Sequence, residues 1–459
     1  MSLIKSVSGI RGTIGGKPGE NLTPSDIVAF VAAYGTWLRN AFDHPSVVIG
    51  RDGRISGELV LQLVTSTLRA MGIDVIDLDY STTPSVEMYV ITSGASGGII
   101  ITASHNPADW NALKFLNHEG EFISQDAGEE IKRMAEAGSI DAEYTTVDLL
   151  GNVTHVHDAI AQHIESILRH PLIDAEKIKY ANLNVVVDCI NSTGNISIPP
   201  LLEKLSVRYT LLNDGHYGQF AHNPEPLEHH LRELINAVTE TKADMGISVD
   251  PDVDRLALVC ENGEFFGEEY TLVCAADYVL SHTPGPLVTN LSSSRALGDL
   301  AKAKGVECYY APVGEVHVVK EMKLRNAVLG GEGNGGIIDP ALHYGRDALM
   351  GLALILMHMA ESGKSLSALK KTYPEYLMVK DKITFNPMQS AKGLMEKVAE
   401  HFKEHNLDHR DGLKIDLEHA WVQLRKSNTE PILRIYAEAR TLGEAQELVD
   451  VVKRMLSVD

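Results

Sequence analysis

The sequence predicts an α/β protein of several domains, three built on one repeated pattern and a last one of a different kind. Three observations lead there. At 459 residues the chain is too long for a single core and suits about three or four domains. Short β-branched runs alternate with amphipathic helical stretches, the pattern of parallel sheets covered by helices, and this alternation restarts twice. From about residue 371 the pattern changes to segments that suit a small α+β unit with an antiparallel sheet.

In the first unit, Thr23-Pro24-Ser25-Asp26 reads as an N-cap, a proline at the first helical position and an acidic third position. Ile27, Phe30, Val31, Tyr34 and Leu38 follow at helical spacing. Val47-Val48-Ile49 reads as a short buried strand that runs into Gly50-Arg51-Asp52-Gly53-Arg54. A helix over 59–68, a strand over 75–78, another helix and a strand at Gly98-Ile99-Ile100-Ile101 complete the unit.

The second unit has a helix over 160–168 and strands at Val185-Val186-Val187-Asp188 and Gly246-Ile247-Ser248-Val249. The third begins near Leu256, with strands at Pro286-Leu287-Val288-Thr289, Cys308-Tyr309-Tyr310 and Ala327-Val328-Leu329. The last has a strand around Ile383, a helix over 388–401, a strand over 432–437 and a closing helix over 442–456. The expected domains are 1–152, 153–254, 255–370 and 371–459.

Lys and Arg number 41 against 62 Asp and Glu, a formal charge of −21. So acidic a chain is unsuited to wrapping nucleic acid, and an anionic ligand would need locally gathered basic residues. Cys189, Cys260, Cys274 and Cys308 lie far apart in apolar stretches and read as free thiols of a reducing compartment. The first residues lack the apolar stretch of a signal peptide. The most apolar stretch, 348–360, is shorter than the ~20 residues of a membrane span and contains His358, so it reads as a core helix. The expectation is a soluble, cytoplasmic protein with no membrane partner.

Thr102-Ala103-Ser104-His105-Asn106-Pro107 stands at the carboxyl end of a predicted strand, where open α/β sheets place their ligands. Ser104 there can be a turn hydroxyl, a cap or a nucleophile, and no G-x-S-x-G elbow surrounds it.

Asp250-Pro251-Asp252-Val253-Asp254-Arg255 follows a strand and sets three carboxylates at alternate positions, which can aim oxygens at one hard cation such as Mg²⁺. An EF-hand would need glycine where Arg255 stands, and a helix rather than the strand-like Leu256-Ala257-Leu258-Val259. A haloacid-dehalogenase-like loop would place Thr or Val where Asp254 stands. A merely solvated turn has no need of Arg255.

Gly330-Gly331-Glu332-Gly333-Asn334-Gly335-Gly336 contains a formal G-x-G-x-x-G, yet Ile337-Ile338-Asp339-Pro340 follows where a dinucleotide site would open a helix. Glycines around one carboxylate suit a backbone that approaches a ligand while Glu332 accepts bonds from hydroxyls; a flexible turn is the plainer alternative. Arg425-Lys426-Ser427-Asn428-Thr429-Glu430-Pro431, with Arg434 after it, supplies cations, hydroxyls and an amide suited to a phosphate. A polar hairpin turn is the alternative there.

In this order and spacing the four motifs resemble those of the α-D-phosphohexomutases. Further matches are Ser8-Gly9-Ile10-Arg11-Gly12, Gly50-Arg51-Asp52, Trp110-Asn111-Ala112-Leu113-Lys114, Asn223-Pro224-Glu225-Pro226 and Val313-Gly314-Glu315. The resemblance implies a four-domain, heart-shaped molecule, with three related mixed α/β domains and a C-terminal α+β domain similar to the TATA-binding-protein fold. Each domain would give one loop to a central cleft.

It also implies that Ser104 is carried as a phosphoserine, with Mg²⁺ held by Ser104, Asp250, Asp252 and Asp254. Phosphate would pass between the 1- and 6-positions of a hexose through a hexose 1,6-bisphosphate, which is both intermediate and activator. Lys114 and His105 are the implied candidates for general base, with Arg11 and Arg255 stabilising phosphate charge. Gly314, Glu315, Glu332 and Asn334 would bind the sugar. Arg425, Ser427, Asn428, Thr429 and Arg434 would hold the phosphate that is not reacting. The phosphosugar is the expected partner of a monomer or homodimer.

Many relatives have serine where Asn334 stands and histidine where Gly336 stands, and the version here resembles an archaeal-type branch. A catalytic histidine at 336 is therefore absent, and His343 is not assumed to replace it. Within that branch the favoured substrate is glucosamine phosphate, followed by mannose or glucose phosphate. A non-catalytic sugar-phosphate binding protein is the alternative from a different class.

Overall fold

The computed structural model describes residues 2–6, 9–137, 144–385, 390–426 and 432–456. The first sheet contains β1 (Ile4–Ser6), β2 (Gly9–Thr13), β3 (Ser46–Arg51), β4 (Asp74–Tyr80), β5 (Gly97–Ile101), β6 (Trp110–Leu116) and β7 (Val153–His155), in the order β1-β2-β6-β5-β3-β4-β7. The central strands β4, β3 and β5 are parallel, and β6 runs antiparallel to β5. Every residue of β5 is buried, as an interior strand covered on both faces requires.

The predicted first helix is Pro24–Ala41, and Ile27, Phe30, Val31, Tyr34 and Leu38 all face the core. Its start is closed by the Asp26 carboxylate, which accepts the Thr23 backbone N–H at 3.2 Å.

The second sheet has the order β11-β10-β8-β9, from β8 (Asn184–Asp188), β9 (Arg208–Leu212), β10 (Met245–Val249) and β11 (Leu256–Cys260). The third is β13-β12-β14-β15, from β12 (Leu287–Asn290), β13 (Cys308–Ala311), β14 (Leu329–Glu332) and β15 (Gly336–Ile338). The fourth is antiparallel throughout: β16 (Leu377–Thr384), β17 (Asn406–Asp408), β18 (Leu413–Asp416), β19 (Trp421–Lys426) and β20 (Ile432–Ala439), in the order β16-β20-β19-β18-β17. The helix Leu442–Leu456 has the predicted bounds.

Three expectations need correction. The boundary at 152 leaves out β7, which pairs with β4 in the first sheet. The boundary at 254 falls between β10 and β11, which pair antiparallel from Met245↔Cys260 to Val249↔Leu256. A buried apolar run such as β11 carries no periodicity that names its partner strand, so it read as the start of a new unit. The strand expected at 327–329 starts only at Leu329 and continues to Glu332, because three residues pair with β15 in a hairpin.

The largest hydrophobic cluster spans the second and third domains and includes most of the helix Ala348–Ser362, the stretch read as a core helix. Separate clusters serve the first and fourth domains. A buried polar junction joins the first three. Ser85 Oγ lies 3.0 Å from His163 Nδ1, and His163 Nε2 lies 2.9 Å from Asp347 Oδ2, which also lies 3.3 Å from His343 Nε2. The four cysteines are unpaired, and among the described residues no helix is long and apolar enough to cross a membrane.

Candidate active site

Ser104 follows β5 by three residues and adopts the left-handed region at φ +48°, rare for a residue with a side chain. The loop around it is held from beneath by Arg54. This guanidinium is 1% exposed and uses every N–H it has. Nε donates to Asp52 Oδ2 at 3.0 Å, Nη1 to the carbonyls of Pro107 and Trp110 at 2.5 and 2.9 Å, and Nη2 to those of Ser104 and Asn106 at 2.6 and 2.7 Å. Asp52 also accepts the Thr102 hydroxyl at 2.6 Å, and Thr102 Oγ1 in turn accepts the Ser104 N–H.

The acidic loop 250–255 is the tip of the β10–β11 hairpin, and Asp250, Asp252 and Asp254 are completely buried. Ser104 Oγ donates to Asp250 Oδ2 at 2.6 Å, while Asp250 Oδ1 accepts the N–H groups of Asp254 and Arg255. Asp252 Oδ2 accepts Thr83 Oγ1 and Lys114 Nζ, each at 2.7 Å. Thr83 opens the helix Thr83–Ser93 and also donates its N–H to the Asp252 carbonyl, so a helix start faces this acid. Asp254 Oδ2 accepts Arg346 Nη2 at 2.6 Å.

The ligand oxygens of the three aspartates all lie within 4.8 Å of one another. Asp252 Oδ1 and Asp254 Oδ1 are buried and accept no hydrogen bond, with Arg255 Nε 3.9 Å from the latter. An all-oxygen set with two such free oxygens fits a hard divalent cation. Burial, with Asp254 and Asp252 adding to it, pushes the Asp250 carboxyl well above its usual range. Burial acts the same way on Asp252, but Lys114 overrides it and holds that carboxyl below its usual range. Burial also opposes the charge on Lys114, yet Asp252 and Asp254 raise its pKa and keep it an ammonium ion.

Burial lowers the Arg11 pKa, and the positive charges of Arg434 and Arg255 add to it, so three cations from distant parts of the chain act on one another. Mutually repelling guanidinium groups suit an anionic ligand. Burial, Arg255 and Arg11 also hold the His105 imidazole well below its usual range, and its Nδ1 lies 3.3 Å from Ser104 Oγ.

The glycine loop is a β14–β15 hairpin and opens no helix. The Gly335 carbonyl accepts the Leu256 N–H at 3.0 Å, and a Cβ at Gly335, where φ is +86°, would meet Leu256 O at 2.4 Å. The loop therefore rests directly on the acidic hairpin. Glu332 Oε1 accepts Asn290 Nδ2 at 2.8 Å and the Gly314 N–H at 3.0 Å, and its Oε2 accepts Arg346 Nη1 at 2.9 Å. Burial disfavours its charge, but Arg346 and these donors leave its pKa lowered. Glu315 turns to Arg346 Nε at 2.9 Å, and burial raises it to about 7. Asn334 Oδ1 accepts the Gly336 N–H.

In the fourth domain Arg425 pairs with Asp411 at 2.8 Å, and Asp411 accepts the Val313 N–H beside Gly314. Arg425 and Arg434 face each other across β19 and β20. Ser427, Asn428 and Thr429 lie outside the described residues, as does Ser8 of the first motif. The structure thus joins Ser104, His105, Lys114 and the three aspartates in one cluster, with Arg11 and Arg255 beside it. Arg54, Thr83, Asn290 and Arg346 were missed as site residues. Only Arg54 had a signal, its place in 50–54.

Repeated α/β units whose loops converge on a buried acidic cluster define a multidomain enzyme with its charged site at the domain junctions. Models of the phosphoglucomutase/phosphomannomutase alpha/beta/alpha domains I, II and III match residues 3–141, 161–263 and 267–376, and that of the C-terminal domain matches 379–455. A Thermococcus kodakarensis protein named "Phosphoglucomutase/phosphomannomutase" is 35% identical over 454 residues, covering 97% of this chain and 98% of that one. A Methanopyrus kandleri protein named "Probable phosphoglucosamine mutase" is 33% identical over 457 residues, 97% of each. A solved structure of a phosphoglucomutase/phosphomannomutase family protein from Burkholderia thailandensis superimposes with a TM-score of 0.84 at 25% identity, covering 99% of this chain and 98% of that one. The chain belongs to the phosphoglucomutase/phosphomannomutase family of the α-D-phosphohexomutase superfamily.

Proposed function

We propose that this phosphohexomutase interconverts glucosamine 6-phosphate and glucosamine 1-phosphate through a phosphoserine at Ser104 and a bound 1,6-bisphosphate. The observation that carries the reading is the 2.6 Å contact of Ser104 Oγ with Asp250 inside the acidic triad. Mg²⁺ held by Asp250, Asp252, Asp254 and the Ser104 phosphate would neutralise charge that develops on the transferred group.

In the forward half-reaction a sugar hydroxyl oxygen bonds to the phosphorus, the bond from phosphorus to Ser104 Oγ breaks, and the hydroxyl proton leaves to a base. The bisphosphate turns over in the cleft and returns its other phosphate to Ser104 by the reverse step. His105 is our assignment for the base: it is held neutral beside Ser104, whereas Lys114 is held charged by Asp252. Arg11 and Arg255 would stabilise the reacting phosphate, and Arg425, Ser427, Asn428, Thr429 and Arg434 would hold the other one. Glu332, Asn334, Glu315 and the Gly314 backbone would meet hydroxyls common to both sugar orientations. The unpaired cysteines support a cytoplasmic site of action.

The name of the Methanopyrus kandleri relative supports glucosamine phosphate. That of the Thermococcus kodakarensis relative supports a second reading, glucose and mannose phosphates. A panel of kcat/KM values for the 1-phosphates of glucosamine, glucose and mannose, each with its matching bisphosphate, decides between them. A preference of tenfold or more for glucose or mannose phosphate, about 1.4 kcal/mol in the transition state, would overturn the first reading.

A further inference from the structure

The side chain that bridges the acidic loop and the glycine loop was in none of the four motifs. Arg346 is 8% exposed and stands just before the helix Ala348–Ser362. Its Nη2 reaches Asp254 Oδ2 at 2.6 Å, its Nη1 reaches Glu332 Oε2 at 2.9 Å, and its Nε lies 2.9 Å from Glu315 Oε2. One guanidinium thus spans a carboxylate of the acidic triad, the carboxylate of the glycine loop and the first residue of the helix Glu315–Arg325. A planar fork can hold two carboxylates in fixed relation, which a lysine ammonium cannot do.

The two carboxylates are tethered differently. Arg346 donates to Asp254 Oδ2, which Lys114 Nζ also approaches at 3.6 Å, and leaves Oδ1 buried with no hydrogen bond, 3.9 Å from Arg255 Nε. Glu332 Oε1 is fixed by Asn290 and Gly314, and only its Oε2 goes to Arg346. Holding one oxygen of Asp254 fixes the direction of the other.

Gly336 explains how the arginine fits. A Cβ at 336 would lie 2.3 Å from Arg346 Cδ, 3.0 Å from its Cγ and 3.1 Å from Asn334 Oδ1. Gly336 lies in β15, outside the left-handed region, so its backbone alone would accept alanine. What excludes a side chain there is chiefly the arm of Arg346. Gly336 and Arg346 are one device: the glycine provides the channel and the arginine crosses it.

We infer that Arg346 is a positioning residue that couples cation binding at Asp254 to sugar binding at Glu332. The naming of the two ligands rests on the proposed function. With Arg346 in place, a ligand that orders one carboxylate also orders the other, so each ligand strengthens binding of its partner by the same factor. Without it the two loops keep only their backbone contact, the Leu256 N–H on the Gly335 carbonyl, and the coupling weakens.

The test is calorimetric titration of the full chain with Mg²⁺, with and without saturating glucosamine 6-phosphate. The proteins are wild type, Arg346→Met, Arg346→Lys, Gly336→Ala and the Arg346→Met/Gly336→Ala double variant, each checked for an intact melting transition. In wild type the sugar phosphate should tighten Mg²⁺ binding about tenfold. In Arg346→Met the ratio should fall severalfold, and lysine should not restore it. Gly336→Ala should lower the ratio too, and in the double variant it should add nothing to Arg346→Met. If Arg346→Met does not fold, Gly336→Ala carries the test by itself.

A wild-type ratio of one, an Arg346→Met ratio equal to wild type, or full additivity in the double variant would overturn the inference. The mutase assay is separate: coupled binding without isomerisation would sink the proposed function and leave this coupling standing.

Discussion

Ser104 Oγ and Asp250 Oδ2 meet at 2.6 Å across 146 residues of sequence, the carboxyl end of β5 against the tip of the β10–β11 hairpin. The contact is anchored on both sides. Arg54 and Thr102 fix the serine backbone, and the N–H groups of Asp254 and Arg255 fix the other oxygen of Asp250. A hydroxyl held this way is presented by two rigid elements, which is what repeated donation and recovery of a phosphate requires.

The first prediction concerns that hydroxyl. Wild-type protein should carry one phosphate that survives acid and hydroxylamine, and Ser104→Ala should carry none by intact mass. Mutase activity of the variant should fall by about 10³-fold or more, since the group proposed to carry the phosphate is gone. Near-normal turnover would show that the phosphate does not pass through Ser104.

Arg54 should matter for stability as much as for activity. Arg54→Met takes the guanidinium donors from the carbonyls of Ser104, Asn106, Pro107 and Trp110 and removes the charged partner of Asp52. Burial already pushes the Asp52 carboxyl up, with Arg54 opposing. Breaking a buried pair of this kind costs about 3–5 kcal/mol. Urea unfolding followed by circular dichroism should show that loss, and Arg54→Lys should recover little, because one ammonium cannot reach five acceptors. A midpoint within error of wild type would contradict the role given to the guanidinium.

The contrast between Arg54 and Ser104 shows what the sequence could carry. Thr23, Pro24 and Asp26 announce the first helix because capping acts over three or four residues, and the Leu442–Leu456 helix was legible from its spacing alone. The acidic loop was legible because its three carboxylates are neighbours. Arg346 was not, since its partners Asp254 and Glu332 lie 92 and 14 residues away and nothing local marks it. β11 was misplaced for the same reason: strand pairing is a tertiary choice that a short apolar run does not encode by itself.

His105 carries a prediction about acid pH. Burial, Arg255 and Arg11 hold its pKa below the ordinary 6.5, so the imidazole stays neutral as pH falls through that value. In its proposed role as general base it acts when neutral, so the acid limb of kcat/KM should lie below pH 6.5. Arg11→Gln removes one positive neighbour and should move that limb toward higher pH, whatever it does to the height of the profile. An unmoved limb would mean that another group sets it.

The last prediction concerns Glu269, which lies behind the glycine loop. Its Oε2 accepts the Ser294 N–H at 2.8 Å and sits 1.9 Å from where a Gly333 Cβ would be. Burial pushes this carboxyl up to about 8 from its ordinary 4.5, with Lys380, 3.9 Å away, only partly opposing. Between those two values the folded chain keeps a proton that the unfolded chain has lost, so this group lowers stability as pH rises through that window. Below it both states are protonated and the effect vanishes. Glu269→Gln has no proton to lose, so its melting temperature relative to wild type should climb steadily from pH 5 to pH 8. Each unit of pH inside the window is worth about 1.4 kcal/mol at most for one group. A difference in melting temperature that stays constant across that range would mean that Glu269 is already ionised in the native protein, paired with Lys380 rather than held neutral against Gly333.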